Sequence, residues 1–228
     1  MKNRWKTLFK SVVLAGVALS GTALSVSAQK NESVKQERLV QLDDLTFPEM
    51  IRSVPLDERS ASLVRKFQEK EARDRVLKSY GGKNDCNVEN FRNKEVLLIT
   101  IPASKLFYPN ETELRRDAEV FLNPIKRYLK DGDMYRVLLV MHTDNTGSED
   151  YRERITADRS QAVFDWFDNQ NLNTRYLFSY AYADEMPLNE STKNNDSMKS
   201  RDLNRRLEIY LVPGEKMAEQ AKKGKIEF

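Results

Sequence analysis

Thiols and imidazoles are almost absent from this chain, whose 228 residues include one Cys and one His. A single cysteine excludes a disulfide framework within the chain. One Cys and one His cannot build a structural zinc site, which needs four N or S ligands, so any metal would have to be carboxylate-bound. Beyond the first thirty residues no segment reaches the roughly eighteen consecutive apolar residues of a membrane helix. The longest apolar runs, residues 96–101 and 137–141, are strand-sized. The chain has no Gly-x-Ser-x-Gly nucleophile elbow and no series of ten-residue alternating strands of a membrane barrel. No spacing singles out the carboxylate pair that a glycoside hydrolase would need.

Charge, by contrast, is abundant. Lys and Arg number 38 against 35 Asp and Glu, a formal net charge of +3. The excess sits in the first 28 residues, where Lys2, Arg4, Lys6 and Lys10 precede an apolar run broken by Gly16 and Gly21 and closed by Val26, Ser27 and Ala28. A basic head, a short apolar stretch and small residues at the end describe a secretory signal peptide cut after Ala28. The mature chain from Gln29 then carries 34 basic and 35 acidic residues. Its charge is close to balanced, which removes the basis for nucleic-acid binding through a global basic field. No Cys follows the signal to take a lipid anchor, because Cys86 lies deep in the chain. The expectation is a soluble, exported protein without a cofactor.

Four regions follow: the signal at 1–28, an arm and charged helix at 29–90, a folded domain at 91–213 and a polar basic tail at 214–228. Residues 29–55 are polar and irregular, with Pro48 and Pro55, and read as an arm or linker. Residues 56–80 have helical spacing at Leu56, Leu63, Val64, Phe67, Val76 and Leu77, supportive pairs Glu69/Arg73 and Glu71/Arg75, and the stop Gly81-Gly82. That thin stripe has to pack on the rest of the chain or on a partner.

From residue 94 strands alternate with helices. Residues 95–101 and 135–141 read as strands covered on both faces, 174–183 as a third and 205–211 as a fourth. Asn110 to Glu113 resembles a capping box opening a helix to about Gly132 that Pro124 kinks, and Ser148 can cap a second helix to about Asn169. The prediction is an α/β sandwich, with a polar stretch at 184–202 and a tail that is mobile or loosely helical.

One residue breaks the pattern. Tyr151, Ile155, Ala162, Val163 and Trp166 define the buried face of the second helix, and Arg159 falls on the same stripe. A guanidinium held there unpaired would be costly, so it calls for a partner, and Asp144 just past the preceding strand is the nearest carboxylate candidate. Two readings stay open. Arg159 and Asp144 form a structural ion pair, or they frame a half-open site in which Arg159 grips a carboxylate and Asp144 takes an ammonium. A ligand with both charges on one carbon, an amino-acid end group, matches the second. The lone His142 reads as a hydrogen-bonded structural residue.

The segment His142-Thr-Asp-Asn-Thr-Gly147 followed by Tyr151, Ile155, Thr156 and Arg159 resembles the signature of the OmpA C-terminal family of peptidoglycan-binding domains, which includes OmpA, Pal and MotB. Leu106-Phe107 and Asn204-Arg205-Arg206 match two further motifs in order, and the resemblance spans residues 92–213. It implies an α+β sandwich with a four-stranded mixed sheet and two main helices. It implies binding of the diaminopimelate in the peptidoglycan stem peptide by Asp144 and Arg159, with Thr143, Arg205 and the loop from Tyr108 to Asn110 contributing. It implies tethering rather than catalysis, at the cell wall or outer membrane of a Gram-negative envelope. The sequence departs from the family pattern at Met141, Arg152 and Ser160, which replace Gly, Asn and Ala. Arg152 places a second cation at the pocket edge, where it can hold a carboxylate or crowd the ligand. A rival reading is a protein-interaction module in which residues 29–90 dock an outer-membrane or periplasmic partner and wall binding is weakened or lost.

Overall fold

The computed structural model describes residues 42, 44–81 and 86–228. The predicted signal peptide and the start of the mature chain lie outside these residues. Five strands form one mixed sheet: β1 (Asn87–Phe91), β2 (Val96–Pro102), β3 (Tyr135–His142), β4 (Leu177–Ala181) and β5 (Arg206–Pro213). Their spatial order is β1-β2-β5-β3-β4, antiparallel throughout except for the parallel pair β3/β4. The main helices of the described residues are α1 (Phe47–Arg52), α2 (Glu58–Glu71), α3 (Glu119–Leu122), α4 (Glu149–Asp168), α5 (Met198–Asn204) and α6 (Glu215–Lys222).

The apolar runs become strands because both faces of the sheet are covered. Leu97, Ile99, Ile101, Val137, Leu139, Met141, Leu207 and Ile209 face a layer containing Val64 of α2, Val163, Phe164 and Phe167 of α4, and Met217 of α6. The alternate residues Val96, Leu98, Leu138, Val140, Tyr210 and Val212 face Phe47, Met50 and Ile51 of α1. A six-residue helix is marginal by propensity. Three buried side chains at roughly 1.5–3 kcal/mol each supply what it lacks. Part of the stretch read as an arm is therefore a lid on the back of the sheet.

Several expectations change. The sheet has five strands rather than four, because residues 87–91 add an antiparallel edge strand through a turn in which Arg92, Asn93 and Lys94 all have positive φ. The boundary drawn at residue 90 thus falls inside β1. The long helix expected from Asn110 does not form. Asn110 has φ +61°, Phe107 bridges Leu114, and the helix begins only at Glu119 and tightens to a 3-10 segment, Asn123–Leu129, with Pro124 in its first turn. The polar stretch 184–202 contains the start of α5. The tail is α6, whose Met217, Ala218 and Ala221 are buried. The second helix follows expectation, with Ser148 accepting the Tyr151 N–H at its start.

The π-helical segment Ala72–Val76 extends α2. Gln68 of α2 fixes that helix to one end of the sheet by donating to the carbonyls of Glu95 and Leu211. The opposite end, beyond the last residues of β2 and β3 and before β5, remains open and carries the site.

Candidate functional site

Four segments converge there. The turn after β2 supplies Ala103, Ser104 and Phe107 to Asn110; the end of β3 supplies Thr143, Asp144 and Thr146; α4 supplies Tyr151, Ile155 and Arg159; and the approach to β5 supplies Asp202 and Arg205. They line a cleft of about 260 Å³. Tyr151, Ile155 and Arg159 share one stripe of α4 because they are spaced by four residues.

Arg159 is 6% exposed. Its Nε donates to the Glu111 carbonyl at 2.8 Å, its Nη2 donates to the Tyr108 carbonyl at 3.2 Å, and its guanidinium carbon lies 4.9 Å from the centre of the Phe107 ring. No carboxylate of a described residue forms an ion pair with it. Burial pulls its pKa below the ordinary arginine value, while Tyr151, Asp144 and Glu111 oppose that shift and Arg205 adds to it. With Nε and one Nη2 proton engaged, Nη1 and the second Nη2 proton remain as a free fork for an incoming carboxylate.

Asp144 is 1% exposed and does not pair with Arg159. One of its oxygens accepts the Thr146 N–H at 2.9 Å and the Thr146 hydroxyl; the other accepts from Arg205, which also pairs with Asp202. The direct Arg159–Asp144 ion pair considered from sequence is thus replaced by two separate arrangements. Arg205 is balanced by two acids, and among the described residues Arg159 is balanced by carbonyl dipoles alone. The cleft offers an unneutralised cation at one point and a carboxylate cluster at another, which is the polarity a zwitterionic group requires.

Asn110 accepts the Tyr151 hydroxyl at 2.9 Å, so it closes the loop onto α4 and does not cap a helix. Gly147 has φ +87°, and a Cβ there would come within 2.8 Å of the Tyr151 ring. The turn after Asp144 therefore requires glycine. Arg152 is the one proposed ligand residue that does not line the cleft. Its guanidinium is held by Asp184 at 2.8 Å and by the Gly147 carbonyl at 2.7 Å. Met141 is fully buried in the core, also clear of the cleft. Sequence reasoning missed Thr146, two residues after Asp144 in the spacing typical of an Asx turn, and Asp202, three residues before Arg205 on a polar helix.

His142 lies beneath the site. It is 1% exposed, and its Nε2 is 3.2 Å from Glu208. Burial pushes the imidazole below its ordinary value, despite the hydrogen bond to Glu208. Burial would raise the Glu208 carboxyl, but His142, Arg206 and Tyr210 together hold it down at about 2. With Glu208 ionised, the neutral imidazole carries its proton on Nε2 and donates.

Residues 106–201 match the model of the OmpA family. The chain carries an OmpA-family domain. A MotB-like protein of Desulfovibrio vulgaris shares the fold at 20% identity and a TM-score of 0.58, over 68% of this chain and 98% of that one. The cell wall anchor of the T6SS from Pseudomonas aeruginosa does so at 22% identity and a TM-score of 0.51, over 62% of this chain and 99% of that one. A curated protein of Gloeobacter violaceus, the photosystem I P700 chlorophyll a apoprotein A2, is 23% identical over 129 residues. That match takes in 54% of this chain and only 15% of the apoprotein's length. In the OmpA-family domain the matched span holds every cleft segment except the start of the β2 turn and the Asp202–Arg205 approach to β5. Among the described residues no helix is long and apolar enough to cross a membrane. None of their His, Cys, Asp and Glu residues gather into a group that could hold a metal.

Proposed function

We infer that the OmpA-family domain binds peptidoglycan without covalent chemistry, by holding the zwitterionic end of diaminopimelate in the stem peptide, and so tethers envelope components to the wall. The observation that carries this reading is Arg159: a buried guanidinium, braced by two carbonyls and a ring, with no acid partner among the described residues and a free fork at the cleft. The ligand carboxylate docks on that fork. Its ammonium goes to Asp144, with Thr143, Asn110 and Arg205 around it. The cleft volume of about 260 Å³ suits such an end group; pockets for larger ligands run to about 300–1,000 Å³.

Two charge-assisted contacts at roughly 1.5–3 kcal/mol each give binding of one stem peptide from several millimolar to tens of micromolar, on the order of 3–6 kcal/mol in all. Retention on the wall then comes from its many repeated stems. The family match and the wall-anchoring neighbour from Pseudomonas aeruginosa support the same reading. A hydrolytic role has less support, since both cleft acids, Asp144 and Asp202, are engaged by Arg205 and His142 is sealed beneath them.

The test is sedimentation with purified sacculi. Wild-type protein should pellet with diaminopimelate-containing walls, and Asp144→Ala should stay in the supernatant while remaining folded by circular dichroism. Walls with lysine in that position lack the second carboxylate and should retain much less. Undiminished pelleting of folded Asp144→Ala would remove the cleft from the account.

A further inference from the structure

Among the described residues, the charged side chains that line the cleft are Arg159 and Arg205, Asp144 and Asp202. Their charges cancel, which matches an end group carrying one carboxylate and one ammonium. Asp202 is the outlier in burial, with a side chain 62% exposed against 33% for Arg205 and 1% for Asp144. It lies on α5, three residues before Arg205, and accepts from the Arg205 Nη2 while Arg205 Nη1 donates to Asp144.

That arrangement limits what Asp144 can do for a ligand by itself. One Asp144 oxygen accepts both the Thr146 N–H and the Thr146 hydroxyl, and the other accepts from Arg205. A carboxylate has about four acceptor positions. Once the described residues are satisfied, roughly one position is left for an ammonium, on the oxygen that a guanidinium already holds. Asp144 and Arg205 alone form a neutral pair, which pulls weakly on a further cation. Asp202 gives the group a net negative charge. It also engages the second side of Arg205, which would otherwise be free to close its planar fork on Asp144 with two parallel bonds. Losing Asp202 would therefore act twice in the same direction, by neutralising the acidic pole and by releasing Arg205 to take up more of Asp144. It would also leave the cleft positive as a whole, since Arg159 already feels Arg205 as a like charge.

We propose that Asp202 sets the charge preference of the cleft: by holding one side of Arg205 and adding a second negative charge, it makes the site select a carboxylate with an adjacent ammonium over a carboxylate alone. Asp202 is a positioning residue, acting on the ligand through Arg205. This rests on the peptidoglycan reading, and the test separates the two. Titration followed by NMR at low ionic strength compares the free tripeptide L-alanyl-γ-D-glutamyl-meso-diaminopimelate with the same tripeptide ending in 2-aminopimelate, which keeps the distal carboxylate and lacks the distal ammonium. Wild-type protein should bind the first more tightly. Asp202→Asn should narrow that preference by roughly two- to fivefold, the scale of one solvent-exposed ion pair. The diaminopimelate peptide should bind more weakly than to wild type, and the aminopimelate peptide as well or better. Asp202→Glu should keep the wild-type preference. A merely structural role would weaken both peptides alike. Equal binding of the two peptides by wild-type protein, or an unchanged preference in folded Asp202→Asn, overturns the role of Asp202 and leaves the Arg159 grip intact. Failure of wild-type protein to bind either peptide overturns both.

Discussion

Replacing Arg159 separates bracing from gripping. In Arg159→Ala the carbonyls of Glu111 and Tyr108 lose charge-assisted bonds of 2.8 and 3.2 Å, and the Phe107 ring loses its cation. Gross values of roughly 1.5–3 kcal/mol per bond and about 1 kcal/mol for the ring contact sum to several kcal/mol. Two effects reduce that. The desolvation cost of burying the guanidinium disappears with it, and the freed carbonyls can take water from the cleft. A net loss of about 2–3 kcal/mol remains, a drop in Tm of roughly 5–10 °C for a chain of this size. Arg159→Lys keeps the charge and can satisfy one carbonyl, so it should lose only about 1–2 kcal/mol. A lysine has no second fork, however. Once its ammonium serves a carbonyl, the planar grip on a ligand carboxylate is gone, and affinity for the free tripeptide should fall by roughly 10- to 100-fold. Thermal unfolding gives the first quantity and calorimetry well below the Tm gives the second. Wild-type affinity in a folded Arg159→Lys protein would refute the reasoning and reduce Arg159 to a brace for the loop.

Met217 is fully buried on the helical face of the core, so Met217→Ala should destabilise the protein by about 2–5 kcal/mol in urea unfolding, whereas a loosely attached tail would show almost no change. Gly147→Ala forces a side chain onto φ +87° and into the Tyr151 ring, and should cost about 1–3 kcal/mol and weaken sacculus binding through displacement of the turn after Asp144. His142 titrates less readily in the folded protein than in the unfolded chain, so the unfolded state takes up more protons below about pH 6.5. Stability should therefore fall as the pH drops through about 6.5, and urea midpoints of His142→Gln should show a flatter pH dependence there. Glu208 acts in a lower window: its stabilising contribution is present above the unfolded value of about 4.5 and is lost as pH falls toward about 2.

The parts of the fold that were legible in the sequence are those where burial is uniform. β2, β3 and β5 are covered on both faces, so they read as continuous apolar runs, and α4 shows its start through Ser148. β1 was hidden because it is an edge strand with four of its five residues exposed, which leaves little hydrophobic alternation to detect. The false helix at Asn110 arose from a capping pattern that tertiary structure overrode. The Phe107–Leu114 bridge and the Arg115 N–H on the Leu106 carbonyl fold that segment into a loop. At the site, Arg159 was visible because a charge interrupted an apolar stripe. Its partners were not visible, because they are main-chain carbonyls, and every residue has one.

The cleft proposed for wall binding and α2, part of the segment weighed for partner docking, lie at different ends of the sheet. Gln68 ties α2 to the beginning of β2 and the end of β5, while the cleft lies past the end of β2 and before β5. The length of a seven-residue strand separates them, on the order of 20 Å. The outward residues of α2, including Arg59, Lys66, Glu69 and Lys70, are exposed there. A protein bound to that helix would leave the cleft open, and the features that suggested lost wall binding, Arg152 and Met141, both lie clear of it. For the tether proposed above, a weak single cleft would then be an advantage. Individual stems would exchange quickly, and a complex presenting several copies would stay on the wall through effective concentration alone.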